Sequence, residues 1–99
     1  MSSEALLKCE IESVWISFKF LKLYITAKTA DHCIVDNAII EEKYRKVSLV
    51  YGLQEADNLS EIFDRDTTFI KFTVNRESTE YVDRNGYVLN RYQVLRFSR

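Results

Sequence analysis

Six bases, Lys71, Arg76, Arg84, Arg91, Arg96 and Arg99, fall in the last thirty residues of this chain, interleaved with Phe72, Tyr81, Tyr87, Tyr92 and Phe97. Only Glu77, Glu80 and Asp83 oppose them, so residues 70–99 are net +3, whereas residues 1–69 carry 8 bases against 12 acids and are net −4. Cations alternating with flat rings suit one chemistry well: the cations meet phosphates and the rings stack on unpaired bases. The same pattern also makes an amphipathic hairpin at a protein interface, and the residues alone leave both open. A net charge of −1 and a pI near 5.8 argue against a protein that coats nucleic acid through bulk charge. A local basic groove is still allowed, because charges more than about 8–10 Å apart are largely screened at physiological salt.

Other reactive side chains assemble less well. His32 and Cys33 are neighbours and Cys9 is distant. On a strand, adjacent residues point to opposite faces, so His32 and Cys33 form neither a chelate nor a nucleophile–base pair. No C-x-x-C spacing is present, and two cysteines are too few for a secreted disulfide framework, which indicates a reduced compartment. The carboxylate pairs Asp64/Asp66, Glu41/Glu42 and Glu55/Asp57 lie in polar contexts, without the burial that tunes an acid or base. Two glycines, Gly52 and Gly86, cannot build a phosphate cradle. Nothing here predicts an enzyme, a metal site or a cofactor. Trp15 stands apart: it alternates out of phase with Val14 and Ile16, beside Lys19 and Tyr24, as an interface anchor or as a ring covered by a capping helix.

The elements that must carry these residues read mostly as strands. Asp83-Arg84-Asn85-Gly86 is a strong hairpin turn, predicted to pair residues 79–82 with 87–90. Ile70, Phe72 and Val74 alternate along a strand over 67–75, and Val47-Ser48-Leu49-Val50-Tyr51 forms another, ended by Gly52. Val14, Ile16, Phe18 and Phe20 share one face, and the apolar phase slips at Phe20-Leu21, which predicts a β-bulge in a long strand over 14–26. A turn is predicted at Thr29-Ala30-Asp31, then a strand over 33–40 and a solvated link over 41–46. Ser2-Ser3 predicts the cap of a short helix over 4–9, and Asn58-Leu59-Ser60-Glu61 a capping box with a helical turn over 59–63. No proline-rich or low-complexity linker divides the 99 residues, so one domain over 1–99 is expected.

From Val47 onward the chain resembles the first half of a bacterial-type single-stranded-DNA-binding protein, an OB-fold. The resemblance is carried by Val47-Ser48-Leu49-Val50-Tyr51-Gly52-Leu53, by Phe72-Thr73-Val74-Asn75, by the Asp83-Arg84-Asn85-Gly86 turn, and by Arg91-Tyr92-Gln93-Val94-Leu95-Arg96-Phe97. The family has Trp-His where this chain has Tyr92-Gln93. Cys33-Ile34-Val35-Asp36-Asn37-Ala38-Ile39-Ile40 is similar to the family's fifth strand, so the resemblance implies a circularly permuted order, with 4–9 as the helix between the third and fourth strands. Tyr92 and Phe97 then fall where the family stacks bases, against a core reading that strand parity favours for Phe72.

The expected fold is all-β or β-rich α+β: a small five-stranded antiparallel OB-like barrel with one or two short helices. The resemblance implies non-enzymatic binding of single-stranded nucleic acid through the C-terminal hairpin, with Arg76, Tyr81, Arg84, Tyr87, Arg91 and Tyr92 as contacts. The alternative is a protein-interaction module on the same fold, a subunit of a larger complex or a small inhibitor, anchored by Trp15, Lys19 and Tyr24. A homodimer through a strand edge is a further expectation, as is an intracellular, reducing location, cytoplasmic or nuclear, without membrane contact.

Overall fold

Period-two hydrophobicity organises most of the chain. The computed structural model describes residues 3–36, 38–53, 59–62 and 69–98, with side chains at 3–29, 36, 44–53, 60, 62 and 69–98. The strands are β1 (Glu4–Ser17), β2 (Lys22–Val35), β3 (Ala38–Gly52), β4 (Ile70–Asn75), β5 (Thr79–Val82) and β6 (Val88–Ser98), with one helical turn, α1 (Leu59–Ile62), between β3 and β4. The sheet order is β3-β2-β1-β4-β6-β5, and a parallel β3–β6 pairing closes five of these strands into a ring. That seam is short, running from Val47↔Asn90 to Val50↔Gln93. The other ladders are antiparallel.

Alternation decides which side chains fill the ring. Leu23, Ile25 and Ala27 of β2, Val47, Leu49 and Tyr51 of β3, and Ile70, Phe72 and Val74 of β4 are buried. In β1 the inward residues Ala5, Leu7, Cys9 and Ile11 change parity to Val14 and Ile16, and the β1–β2 register shifts between Ile11 and Ser13 to allow it. A second shift, between Thr73 and Val74 of the β4–β6 ladder, lets both Val94 and Phe97 turn inward. Phe97 meets Tyr51 edge-on at 5.5 Å between centroids and Phe72 at 6.1 Å. Ile62 brings α1 into the same core. Cys9 is a free thiol with no exposed surface, and burial pushes its pKa up to about 12.

Several expectations are corrected here. Residues 4–9 are strand, not helix: their alternation of Ala5, Leu7 and Cys9 toward the core pairs them with β4 from Glu4↔Asn75 to Cys9↔Ile70. The phase slip at Phe20-Leu21 marks a reversal, not a bulge. β1 ends at Ser17, Ser17 Oγ accepts a hydrogen bond from the Phe20 N–H at 3.3 Å, and Leu21 turns the chain with φ 51°. The predicted turn at 29–31 lies inside the β2–β3 ladder, which runs through Asp31↔Lys43; the reversal comes at Asp36, also with φ 51°. The link over 41–46 is part of β3. The permuted order therefore falls away: three strands, a helical turn and then the closing strands follow one another directly from β1. The helical turn at Leu59–Ile62 and the pairing of Thr79–Val82 with the start of β6 match their expectations. Asn58, Glu55, Asp57, Asp64 and Asp66 lie outside the described residues, as do the side chains of His32, Cys33, Glu41 and Glu42.

Candidate nucleic-acid interface

β4 and β5 are two halves of one arm, both paired with β6 and interrupted at residues 76–78. The arm reverses at the predicted turn. Gly86 has φ 83°, and Asp83 Oδ1 accepts hydrogen bonds from the N–H groups of Asn85 and Tyr87, each at 2.9 Å. On the outer face of β2 and β3, Tyr24 and Thr26 stand opposite the buried Leu23, Ile25 and Ala27.

Four side chains from four strands meet on that face. Trp15 lies across from Tyr24 in the β1–β2 register, and their rings stack at 4.5 Å with an 11° interplanar angle. The parallel seam sets Arg91 opposite Ser48, whose Oγ accepts a hydrogen bond from Arg91 Nε at 3.2 Å. The held guanidinium lies 3.8 Å from the Tyr81 ring centroid and 5.4 Å from that of Tyr24. Trp15, Tyr24, Arg91 and Tyr81 thus form one run of flat groups across β1, β2, β6 and β5. Contacts of this kind are worth about 0.5–1 kcal/mol each at exposed sites. Trp15 remains 58 % exposed, so its outer face is open.

Beside the run opens a cleft of ≈ 600 Å³. The β1–β2 turn contributes Phe20 and Leu21, the interrupted arm contributes Asn75, Glu77, Ser78 and Thr79, and the closing strands contribute Val50, Arg91, Tyr92 and Gln93. The turn is apolar and outward: Phe18 is 80 % and Phe20 61 % exposed, with Lys19 Nζ 5.3 Å from the Phe20 ring centroid.

The residues singled out from sequence separate into groups. Tyr81, Arg91, Trp15 and Tyr24 come together, which merges part of the two alternative surfaces into one. Arg91 is engaged by Ser48 and Tyr81 and so differs from the free phosphate claw expected of it. Tyr92 packs partly against the core and also lines the cleft. Lys19 sits in the β1–β2 turn, and Arg84 and Tyr87 occupy the exposed hairpin end. Arg76 is elsewhere: its side chain donates to the Glu4 carbonyl at 3.3 Å and its N–H to the Ser3 carbonyl at 2.7 Å, tying down the start of β1. Phe97 packs against the core, on Tyr51 and Phe72. Sequence reasoning missed Phe18, Phe20, Asn75, Glu77 and Gln93. The two phenylalanines were assigned inward by parity, although the change of apolar phase beside them was the signal for a turn. Among the described residues, no group of three or more His, Cys, Asp or Glu could hold a metal ion, and no helix is long and apolar enough to cross a membrane.

No protein-family profile matches the chain, and no curated relative matches it. A solved structure does. A small single-stranded DNA binding protein from Mycoplasma pneumoniae superposes with a TM-score of 0.64 at 16 % identity, over 100 % of this chain and 94 % of that one. The barrel is an OB-fold. In OB-folds the face of the second and third strands, with the loops joining strands one to two and four to five, is where oligonucleotides and oligosaccharides bind. In this OB-fold those places are the outer face of β2 and β3, the turn at 18–21, and the hairpin carrying β5.

Proposed function

We propose that this protein binds single-stranded nucleic acid across the outer face of β2, β3 and β6, without catalysing a reaction. The observation that carries this reading is the Trp15–Tyr24–Arg91–Tyr81 run beside an open cleft, on the face OB-folds use for oligonucleotides. Exposed rings supply sequence-tolerant stacking of roughly 1–3 kcal/mol per base. Arg84, Lys19 and Lys22 border the surface and meet the phosphates. The C-terminal hairpin is therefore one part of a broader surface that includes β1 and β2. The similar fold of a protein described as binding single-stranded DNA supports the reading. Work on nucleic acid implies a site inside a cell or virion.

The second reading is a protein-docking surface, and the exposed Phe18 and Phe20 favour it, since apolar side chains at a turn bury well against a partner. A homodimer through a strand edge belongs with it: among the described residues, β5 pairs on one side only, with β6. Salt dependence separates the two. Fluorescence anisotropy of a labelled mixed-sequence single strand should give low-micromolar or tighter binding that weakens steeply with salt, because phosphate contacts release counterions. No binding at low salt refutes the nucleic-acid reading and leaves the protein-docking one.

A further inference from the structure

The cleft is not lined by cations alone. Glu77 contributes a carboxylate and Asn75 and Gln93 contribute amides; of its two cations, Lys22 lies at the start of β2 and Arg91 is already engaged by Ser48 and Tyr81. A carboxylate in a groove for a polyanion repels the backbone, so it fits only where it faces something other than phosphate. Phe20 and Tyr92 supply apolar flanks for a flat group. The volume of ≈ 600 Å³ falls in the ~300–1,000 Å³ range of sites that enclose a small organic group, which an unstacked nucleotide is.

The chemistry of base edges narrows the occupant. An ionised carboxylate only accepts, and it can accept two parallel hydrogen bonds. Guanine alone among the common bases presents two adjacent N–H donors, N1–H and the exocyclic N2 amino group. Adenine and cytosine set one amino donor beside a ring-nitrogen acceptor, and thymine and uracil flank one donor with two carbonyls; each turns a lone pair toward the carboxylate. A side-chain amide beside the carboxylate donates to the guanine O6. Resting on the single-strand reading above, we propose that this cleft is a guanine-selective subsite, with Glu77 as its specificity-determining residue and Asn75 and Gln93 as its amide partners.

The test compares three labelled strands: oligo-thymidine, the same strand carrying isolated guanines spaced too far apart to associate, and that strand with hypoxanthine for each guanine. Hypoxanthine lacks only the exocyclic amino group. Guanine should tighten binding roughly five-fold or more, the lower end of what one bidentate base contact discriminates. Hypoxanthine should return most of that gain. In Glu77→Gln the guanine-to-thymidine affinity ratio should fall to near one, with circular dichroism confirming the fold. Equal affinities in the native chain, or a ratio that survives Glu77→Gln, overturns the subsite while single-strand binding stands. Failure of every strand to bind overturns both together.

Discussion

Arg91 is the residue on which the proposed surface turns, because its planarity matters as much as its charge. A lysine keeps the charge but has neither the flat face that lies against Tyr81 nor the fork that reaches Ser48. Arg91→Lys should therefore weaken single-strand affinity while leaving the salt slope nearly intact. Arg84→Ala, at the exposed hairpin end, should lower the slope of log K against log salt by about one unit with a modest loss of affinity. Titrations across a salt series read both, and an Arg91→Lys affinity equal to that of the native chain would mean that Arg91 contributes its charge alone. Trp15→Ala and Tyr24→Ala should each cost roughly 1–3 kcal/mol of binding if bases stack there. Anisotropy measures that loss, and a thermal melt shows whether the fold has been spared. Trp15 was legible in the sequence as an outward ring, since it opposes Val14 and Ile16. Its stacking on Tyr24 was not, because the pairing partner is set by where the chain reverses.

At the scale of elements, the hairpin end and the β1–β2 turn make opposite cases. The Asp83-Arg84-Asn85-Gly86 turn declares itself by residue type: the Asp83 carboxylate holds two backbone N–H groups and Gly86 takes a positive φ. A Cβ added at Gly86 would meet nothing within 4 Å, so Gly86→Ala should cost about 1 kcal/mol through backbone conformation alone. Chemical denaturation would show that shift in midpoint with an unchanged m-value. The turn at 18–21 has no glycine, proline or asparagine to announce it, and Leu21 holds the left-handed conformation itself. Its only trace is a change of apolar parity, which a bulge produces equally well. The actual bulge lies earlier, between Ile11 and Ser13, where the same parity change goes from Ile11 to Val14. Residues 4–9 misled for a related reason: a serine pair before a short mixed segment resembles a capped helix, and only pairing with β4 decides otherwise.

At the scale of the whole molecule, the core was legible and the closure was not. Alternation identified Ile70, Phe72 and Val74 as inward without any knowledge of their neighbours. The order of strands around the ring depends on long-range pairing, and the local similarities to the family pointed to a permuted order that this pairing does not follow. Outside the barrel, Glu4 and Arg96 join β1 to β6 across β4 with oxygens and nitrogens at 2.9 and 3.4 Å. The hydrogen bond from Arg96, and then its charge, hold the Glu4 carboxyl below its ordinary value of 4.5. That lowered pKa means the pair's stabilisation is complete above the unfolded value and is lost as pH falls through the folded one. Melting temperatures of the native chain and Glu4→Gln should therefore differ slightly at neutral pH and converge in acid; a gap that persists in acid would assign the effect to packing.

The four-pair seam between β3 and β6 carries Arg91 opposite Ser48, so the clasp that shuts the ring and the centre of the flat surface are one side chain. A strand lying on that surface would act as a latch. Ring opening and ligand release then share a coordinate, and an occupied protein should breathe less at its joint than anywhere else. Amide hydrogen exchange at Val47, Ser48, Leu49 and Val50 should slow on adding oligo-thymidine by more than exchange in the β1–β4 ladder on the far side. Uniform slowing around the barrel would mean that occupancy stabilises the fold globally and that the joint has no special share in it.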